Sequence, residues 1–370
     1  MFRNFVGGLL FALLMFFTAF FGSIFMMGPT LPLLFLQPNW FRNINDKFIG
    51  LWMGLPVVVL EKVFRVKVHI TEENFHSQLN HEKAIIIMNH RTRLDWLFFW
   101  SVIMRQKKLQ YEKIVLKDGL KHIPGAGWAM QFAMFVFLKR NWEMDEKYLQ
   151  DILDYFLMMK CPLQLLMFPE GTDFGPHSLA KSKEYAIKHN LPVYKHVLHP
   201  RLRGFTYCVE RLRKEGSLHA IYDVTVGYRG NLCQSESDIL LGKPDEVHFH
   251  MKRYPIGTIP ESTDSLEKWC IQRWVDKEET LEQFYKGCQL YQTQEEKMRQ
   301  NDTWRILHQM ILLFSYWVVF LCVVLCLIYK YWWVRLYVIL MASILFLQSN
   351  YGGALKHYKL EKNNEDQCLR

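Results

Sequence analysis

"IIIMNHRTRLDWLFF" (residues 85–99) interrupts an apolar run with Asn89, His90, Arg91, Thr92, Arg93 and Asp95, then resumes it at once. Polar groups set into a core-forming run must be hydrogen-bonded, solvated or chemically employed. Read as a buried strand, the run leaves His90 in the turn that follows, with Thr92 capping a helix that begins near Arg93 and Asp95 in its first turn. On one continuous helix His90 and Asp95 would lie about 140° apart, and on one strand they would face opposite sides. A strand-turn-helix bend is therefore the condition for any joint chemistry of the pair.

The flanking sequence repeats that pattern. Short apolar runs bounded by turn residues predict strands at 67–71, 84–89, 113–117, 134–139, 163–169, 220–228 and 247–256, and near-helical spacing predicts helices at 146–160, 179–190 and 265–287. Strands alternating with helices predict an α/β fold, a central sheet flanked by helices. Neither an internal repeat nor a low-complexity linker divides residues 65–290, which read as one domain.

The two ends differ from this middle. Residues 5–38 carry no charge over more than the roughly 20 residues a bilayer crossing requires, so 1–64 reads as a retained N-terminal membrane anchor with an interfacial segment. Pro29 and Pro32 should end or kink its helix near Gly28, and the shorter patch 48–64, interrupted by Pro56, reads as interfacial or re-entrant. Apolar segments 306–329 and 337–348, separated by Lys330 and Arg335, predict a transmembrane hairpin over 304–350, with Arg335 reaching for the interface. Residues 351–370 form a polar tail.

A net charge of +9 suits an anionic membrane surface or phosphate-bearing substrates. Two hydrophobic ends and the lack of a basic repeat or nucleic-acid motif argue against nucleic acid. The eight cysteines have no paired metal spacing, so neither zinc nor disulfides are expected, and a reducing compartment fits.

A His–Asp pair suits acyl transfer from a thioester to an alcohol: imidazole accepts the hydroxyl proton and the carboxylate fixes its tautomer. The same spacing also fits a plain capping arrangement, with Asp95 completing the turn begun at Thr92. In "LLMFPEGTDFGP" (165–176), Pro169 and Gly171 impose a turn around Glu170 and Thr172, where exposed N–H groups can hold an oxyanion or phosphate and an ordinary strand-ending turn is the alternative. Lys139 and Arg140 in "FLKRNW" (137–142), and Arg201 and Arg203 in "VLHPRLRGF" (197–205), are cations that bind phosphate or face water; Arg140 is the foremost candidate.

In this order, these segments resemble the four motif blocks of the glycerolphosphate (1-acylglycerol-3-phosphate) acyltransferase family. "NHRTRLD" looks like its NHxxxxD block, "FVFLKR" is similar to its second block, "FPEGT" matches its third, and "VLHPRLRGF" is similar to its fourth. Together they span about a third of the chain. Further similarity, through "FFGSIFM", "GWAMQ", "LQLLMFPEGTD" and "HFHMKRYPI", is to the lysocardiolipin acyltransferase branch. One departure stands out: many members continue the third block with arginine, where this chain has Asp173. A carboxylate cannot bind a phosphomonoester as arginine would, and it is compatible with a bulkier phosphodiester acceptor.

The resemblance implies transfer of a fatty acyl group from acyl-CoA, a co-substrate rather than a cofactor, to a lysophospholipid at the endoplasmic reticulum or its mitochondria-associated portion. It implies His90 as general base, Asp95 as its orienter, Arg140 as a phosphate ligand, and Glu170, Gly171 and Thr172 in the acceptor site, with Lys139 and Arg201 as weaker substrate ligands and no metal. The alternatives are phosphatidic-acid synthesis, a lipid hydrolase, which the lack of a G-x-S-x-G elbow disfavours, and a non-catalytic membrane adaptor of the same fold.

Overall fold

The computed structural model describes residues 2–73, 82–106, 109–158, 162–234, 238, 245–288, 290 and 300–350. The polar tail lies outside them. Strands form at all seven predicted places: β1 (Lys67–Glu73), β2 (Lys83–Met88), β3 (Glu112–Lys117), β4 (Val136–Leu138), β5 (Leu163–Met167), β6 (Ala220–Arg229) and β7 (Glu246–Pro255). The helices are α1 (Phe2–Gly22), α2 (Leu31–Leu36), α3 (Pro38–Val58), α4 (Asp95–Arg105), α5 (Ala126–Phe132), α6 (Trp142–Met158), α7 (Pro176–Lys188), α8 (Arg203–Lys214), α9 (Thr263–Tyr285), α10 (Gln300–Lys330) and α11 (Trp332–Asn350). The chain divides into two compact units, one of residues 1–8, 59–107 and 160–298, the other of 9–58, 108–159 and 299–370.

In the first unit the strands run in the order β1-β7-β6-β2-β5. Neighbours are parallel except for the antiparallel pair β6–β7. Every residue of β2 and β5 is buried, as expected of parallel strands covered on both faces. Helix α9 is capped by Ser262, whose hydroxyl accepts the Ser265 N–H, and it buries Leu266, Cys270, Trp274, Lys277, Leu281 and Phe284 at three- and four-residue spacing. Lys277 is the one charge in that stripe. Its ammonium pairs with Asp223 and donates to the Val224 carbonyl, which is what makes its burial tolerable.

The second unit pairs β3 with β4 and contains most of the apolar helical sequence. Strand β4 is shorter than predicted because Met134 (φ +58°) and Arg140 (φ +64°) leave extended geometry on either side of it. Met134 and Phe135 instead donate back to Gln131 and Met130 and finish the turn of α5.

The N-terminal helix absorbs its prolines by changing pitch rather than ending. Winding widens over Ser23–Met27, tightens over Gly28–Thr30 and returns to α over Leu31–Leu36, which places Pro29 and Pro32 where a missing N–H costs little. Residues 48–58 form the second half of α3, with Met53–Val58 all buried in the protein. The predicted C-terminal hairpin forms as α10 and α11. Arg335 folds back so that Nε donates to the Ile328 carbonyl (2.8 Å) and Nη2 to that of Tyr329 (2.7 Å), capping the preceding helix where acceptors are otherwise unsatisfied. Tyr337 donates to the Ile24 carbonyl (2.9 Å) and Trp317 to that of Leu51 (3.2 Å), tying the hairpin to the N-terminal helices. Three helical segments, 6–36, 305–330 and 332–350, are long and apolar enough to cross a membrane.

Candidate active site

The site grows from the C-terminal end of β2. The side chain of Asn89 replaces the next rung of the sheet: Nδ2 donates to the Val226 carbonyl (3.0 Å) and Oδ1 accepts the Val226 N–H (2.8 Å). With that pairing made by a side chain, the backbone is free to turn away at His90. The turn brings His90 Nδ1 to 3.0 Å from Asp95 Oδ2. The strand-turn-helix bend is therefore present, although α4 starts at Asp95 rather than near Arg93.

Asp95 is fully buried and meets four donors. Oδ2 accepts the Thr92 N–H (3.0 Å) besides facing the imidazole, and Oδ1 accepts the Thr92 hydroxyl (3.2 Å) and the Tyr228 phenol (2.5 Å). Thr92 Oγ1 in turn accepts the Leu94 N–H (3.1 Å), so the capping arrangement and the His–Asp contact coexist. The first turn of α4 adds its dipole in favour of the anion. Burial first, then the neighbouring Asp95 carboxylate, raises the Tyr228 phenol well above its usual range, so it remains a donor.

Nδ1 of His90 faces a carboxylate, which places the ring proton there and leaves the Nε2 lone pair free. The ring stacks on Phe168 (centroids 4.1 Å, 27°) and the side chain is 17% exposed. It can accept a proton from a substrate without repacking the protein.

Phe168 belongs to the turn after β5. Gly171 donates to the Phe168 carbonyl (2.9 Å) with φ +71°, a conformation that favours glycine. A Cβ at Gly171 would also stand 3.2 Å from Arg201 Cδ. Arg201 donates its backbone N–H to the Pro169 carbonyl (2.7 Å), so its side chain lies along this turn. Thr172 donates to Asp173 (3.4 Å), Asp173 faces the Arg93 guanidinium (3.5 Å), and the Arg91 guanidinium lies over the Phe174 ring (4.6 Å). Phe174 N–H donates to the His90 carbonyl (2.7 Å), which joins the two turns directly.

Glu170 points the other way. It is 3% exposed and accepts the Trp274 indole N–H (3.2 Å). Burial pushes its carboxyl up to about 8, against the pull of the Trp274 indole and the backbone N–H groups of His90 and Leu198. The carboxyl braces the His90 turn from inside and offers no open face to an acceptor.

The structure thus brings together His90, Asp95, Glu170, Gly171, Thr172 and Arg201 in the first unit, at the ends of adjacent parallel strands. Lys139 and Arg140 belong to the second unit, where both are exposed at the end of β4. Asp145 shapes their turn by accepting the N–H groups of Lys139 (2.8 Å) and Asn141 (3.0 Å). Sequence reasoning noted Asn89 without a role and missed Tyr228 and Trp274. The only signal for Tyr228 was a polar-tipped aromatic at the end of a predicted core strand, and nothing local connects it to Asp95.

Residues 65–228 match the family model described as Acyltransferase, and residues 238–312 match the one described as Acyltransferase C-terminus. Lysocardiolipin acyltransferase 1 of Gallus gallus is 44% identical over 374 residues, which cover 98% of this chain and 98% of that protein. Lysophosphatidylinositol acyltransferase 10 of Caenorhabditis elegans is 37% identical over 303 residues, 80% of this chain and 76% of that one. 1-acyl-sn-glycerol-3-phosphate acyltransferase 2 of Arabidopsis thaliana is 33% identical over 250 residues, 67% of this chain and 64% of its own. The first match opens just before β1 and closes on Tyr228, enclosing the dyad and every side chain that holds Asp95. The chain belongs to the acyltransferase family of lysocardiolipin, lysophospholipid and 1-acylglycerol-3-phosphate acyltransferases.

Proposed function

We propose that the protein transfers a fatty acyl group from acyl-CoA to the free hydroxyl of a lysophospholipid, lysocardiolipin or a related anionic lysophospholipid, during phospholipid remodelling at the endoplasmic reticulum membrane. The observation that carries this reading is the His90–Asp95 contact, with Asp95 buried among donors and Nε2 of His90 left open.

The hydroxyl oxygen attacks the thioester carbonyl as Nε2 takes its proton, and the carbonyl π pair moves to oxygen. Collapse of that intermediate breaks the C–S bond, and the departing CoA sulfur receives the proton back from the imidazolium. No covalent acyl-enzyme is needed. Asp95 holds the tautomer and stabilises the imidazolium while it exists. Arg91, Arg93 and Arg201 supply cationic character around the two turns, which favours an anionic acceptor. Arg140, with Lys139, is assigned to the acceptor phosphate through the motif resemblance, and Thr172 with the Gly171 turn to the acceptor site. Glu170 acts as a positioning residue under His90.

Asp173 meets Arg93 and so neutralises part of this field. That favours a phosphodiester over the more highly charged phosphomonoester of 1-acylglycerol-3-phosphate. An acceptor panel tests both choices: CoA release should rise with monolysocardiolipin or another lysophosphodiester lipid above its rate with 1-acylglycerol-3-phosphate. A preference for the phosphomonoester would overturn the acceptor assignment, and equal release without any acceptor would make the protein a thioesterase.

A further inference from the structure

We propose that Trp274 on α9 is a positioning residue for the transfer reaction, the middle link of a strut that runs from β6 through Lys277 and Trp274 to Glu170 and the His90 turn. The proposal rests on the dyad reading above and gives α9 a part in it, although the helix lies well beyond Tyr228, outside the stretch of chain that carries the dyad.

The strut starts on β6, where Asp223 and Val224 stand opposite Ile87 and Met88, the last residues of β2 before the polar interruption. The Lys277 ammonium pairs with Asp223, donates to the Val224 carbonyl and reaches Thr225 Oγ1 (3.4 Å), so it is fixed to the strand beside that end of β2. Trp274 lies three residues earlier on the same face of α9, and the ammonium stands 5.4 Å from its ring centroid. Both side chains are fully buried, where a cation over an indole face is attracted most strongly. The indole Nε1 in turn donates to Glu170 Oε1 (3.2 Å). Among the described residues it is the one side chain that donates to Glu170. The same carboxyl takes the backbone N–H of His90, so the strut ends on the residue whose imidazole does the chemistry.

The other support of that backbone, the Asn89 side chain on Val226, comes from β6 two residues further on. His90 is thus tied to one strand by two routes, a local one through Asn89 and a long one through α9. Loss of the indole N–H leaves Glu170 Oε1 buried without its side-chain donor, a cost relieved only by moving the carboxyl and the turn it supports. A general base works only within hydrogen-bond reach of the proton it takes, so such a movement is felt in kcat rather than in substrate affinity. If Trp274 merely filled space between α9 and the sheet, the same rings without the N–H would serve equally well.

The test uses the full chain in detergent, as wild type, as Trp274→Phe, and with Trp274 replaced by β-(3-benzothienyl)alanine, which keeps the fused rings and puts sulfur in place of the N–H. The expected result is a fall in kcat of about tenfold in both variants, with the KM for lysophospholipid and for acyl-CoA within about twofold of wild type. A second readout does not depend on activity. The indole bond pulls the Glu170 carboxyl down from where burial and the Asp95 carboxylate push it, so without that bond the loss of stability on raising pH toward about 8 should move to higher pH. Wild-type kcat in the benzothienyl variant, or a Tm–pH profile that does not move, would overturn the proposal. Failure of the dyad reading looks different: transfer is then absent from the wild type or survives in His90→Ala, whereas failure of the strut leaves transfer by the wild type, none by His90→Ala, and Trp274 variants that match the wild type.

Discussion

Replacing Tyr228 by phenylalanine removes one hydroxyl and leaves the ring, with its contact to Phe98, in place. The bond lost is the phenol's donation to Asp95 Oδ1 at 2.5 Å, in a position where neither group reaches water. Oδ1 then keeps only the Thr92 hydroxyl at 3.2 Å. A hydrogen bond to a charged group contributes about 1.5–3 kcal/mol. If that energy holds the carboxylate in line with the imidazole as the imidazolium forms, kcat falls about 10- to 150-fold. The Tyr228 phenol is buried against Asp95 and presents no open face, so both KM values should stay within about twofold. Initial rates of CoA release at saturating lysophospholipid and acyl-CoA read the first quantity, and titration of each substrate in mixed micelles reads the second. A Tm close to that of the wild type confirms that the variant folds. A folded Tyr228→Phe protein with wild-type kcat would refute the view that the phenol positions the dyad.

Asp95→Asn is not a mild change here, because an amide turns at least one donor toward a ring of four donors; it should abolish transfer and also lower Tm, read by thermal unfolding in detergent. Arg140→Lys keeps the charge and loses the planar fork, so acceptor kcat/KM should fall about 10- to 150-fold with donor KM little changed; a rise confined to donor KM would place Arg140 on the CoA phosphates. The Glu170 carboxyl, raised from 4.5 to about 8 by burial, binds its proton more tightly in the folded than in the unfolded chain. Its stabilising effect is therefore complete below about pH 4.5 and is lost as pH rises toward about 8. Glu170→Gln should flatten that part of the Tm–pH profile, and an unchanged slope would contradict the burial argument.

Local pattern was enough for the strands. Ile85–Met88 and Leu163–Met167 are short buried runs of the length and composition that a sheet covered on both faces takes, and His90 and Asp95 meet through the turn their joint chemistry requires. Strand β4 was overextended because left-handed backbone at Met134 and Arg140, both non-glycine, leaves no composition signal. The N-terminal prolines predict an end or a kink near Gly28, and the helix answers them with a change of winding over Ser23–Thr30. Glu170 reads as an acceptor ligand in "FPEGT" but turns inward to Trp274, a partner 104 residues away. Tyr228 is 133 residues from Asp95, and no periodicity joins them. Nor does any shift in composition mark residues 108–159, which cluster with the apolar termini rather than with the strands on either side.

The most direct test of the dyad-driven transfer is CoA release by purified wild-type and His90→Ala protein, each with and without a lysophospholipid acceptor. His90 lies in a turn outside the strand core, 17% exposed with its ring stacked on Phe168, so the variant should fold and insert normally. The account predicts acceptor-dependent release by the wild type, with formation of the acylated phospholipid, and none above background by His90→Ala. Acceptor-dependent release at the wild-type rate by a folded His90→Ala protein would contradict it.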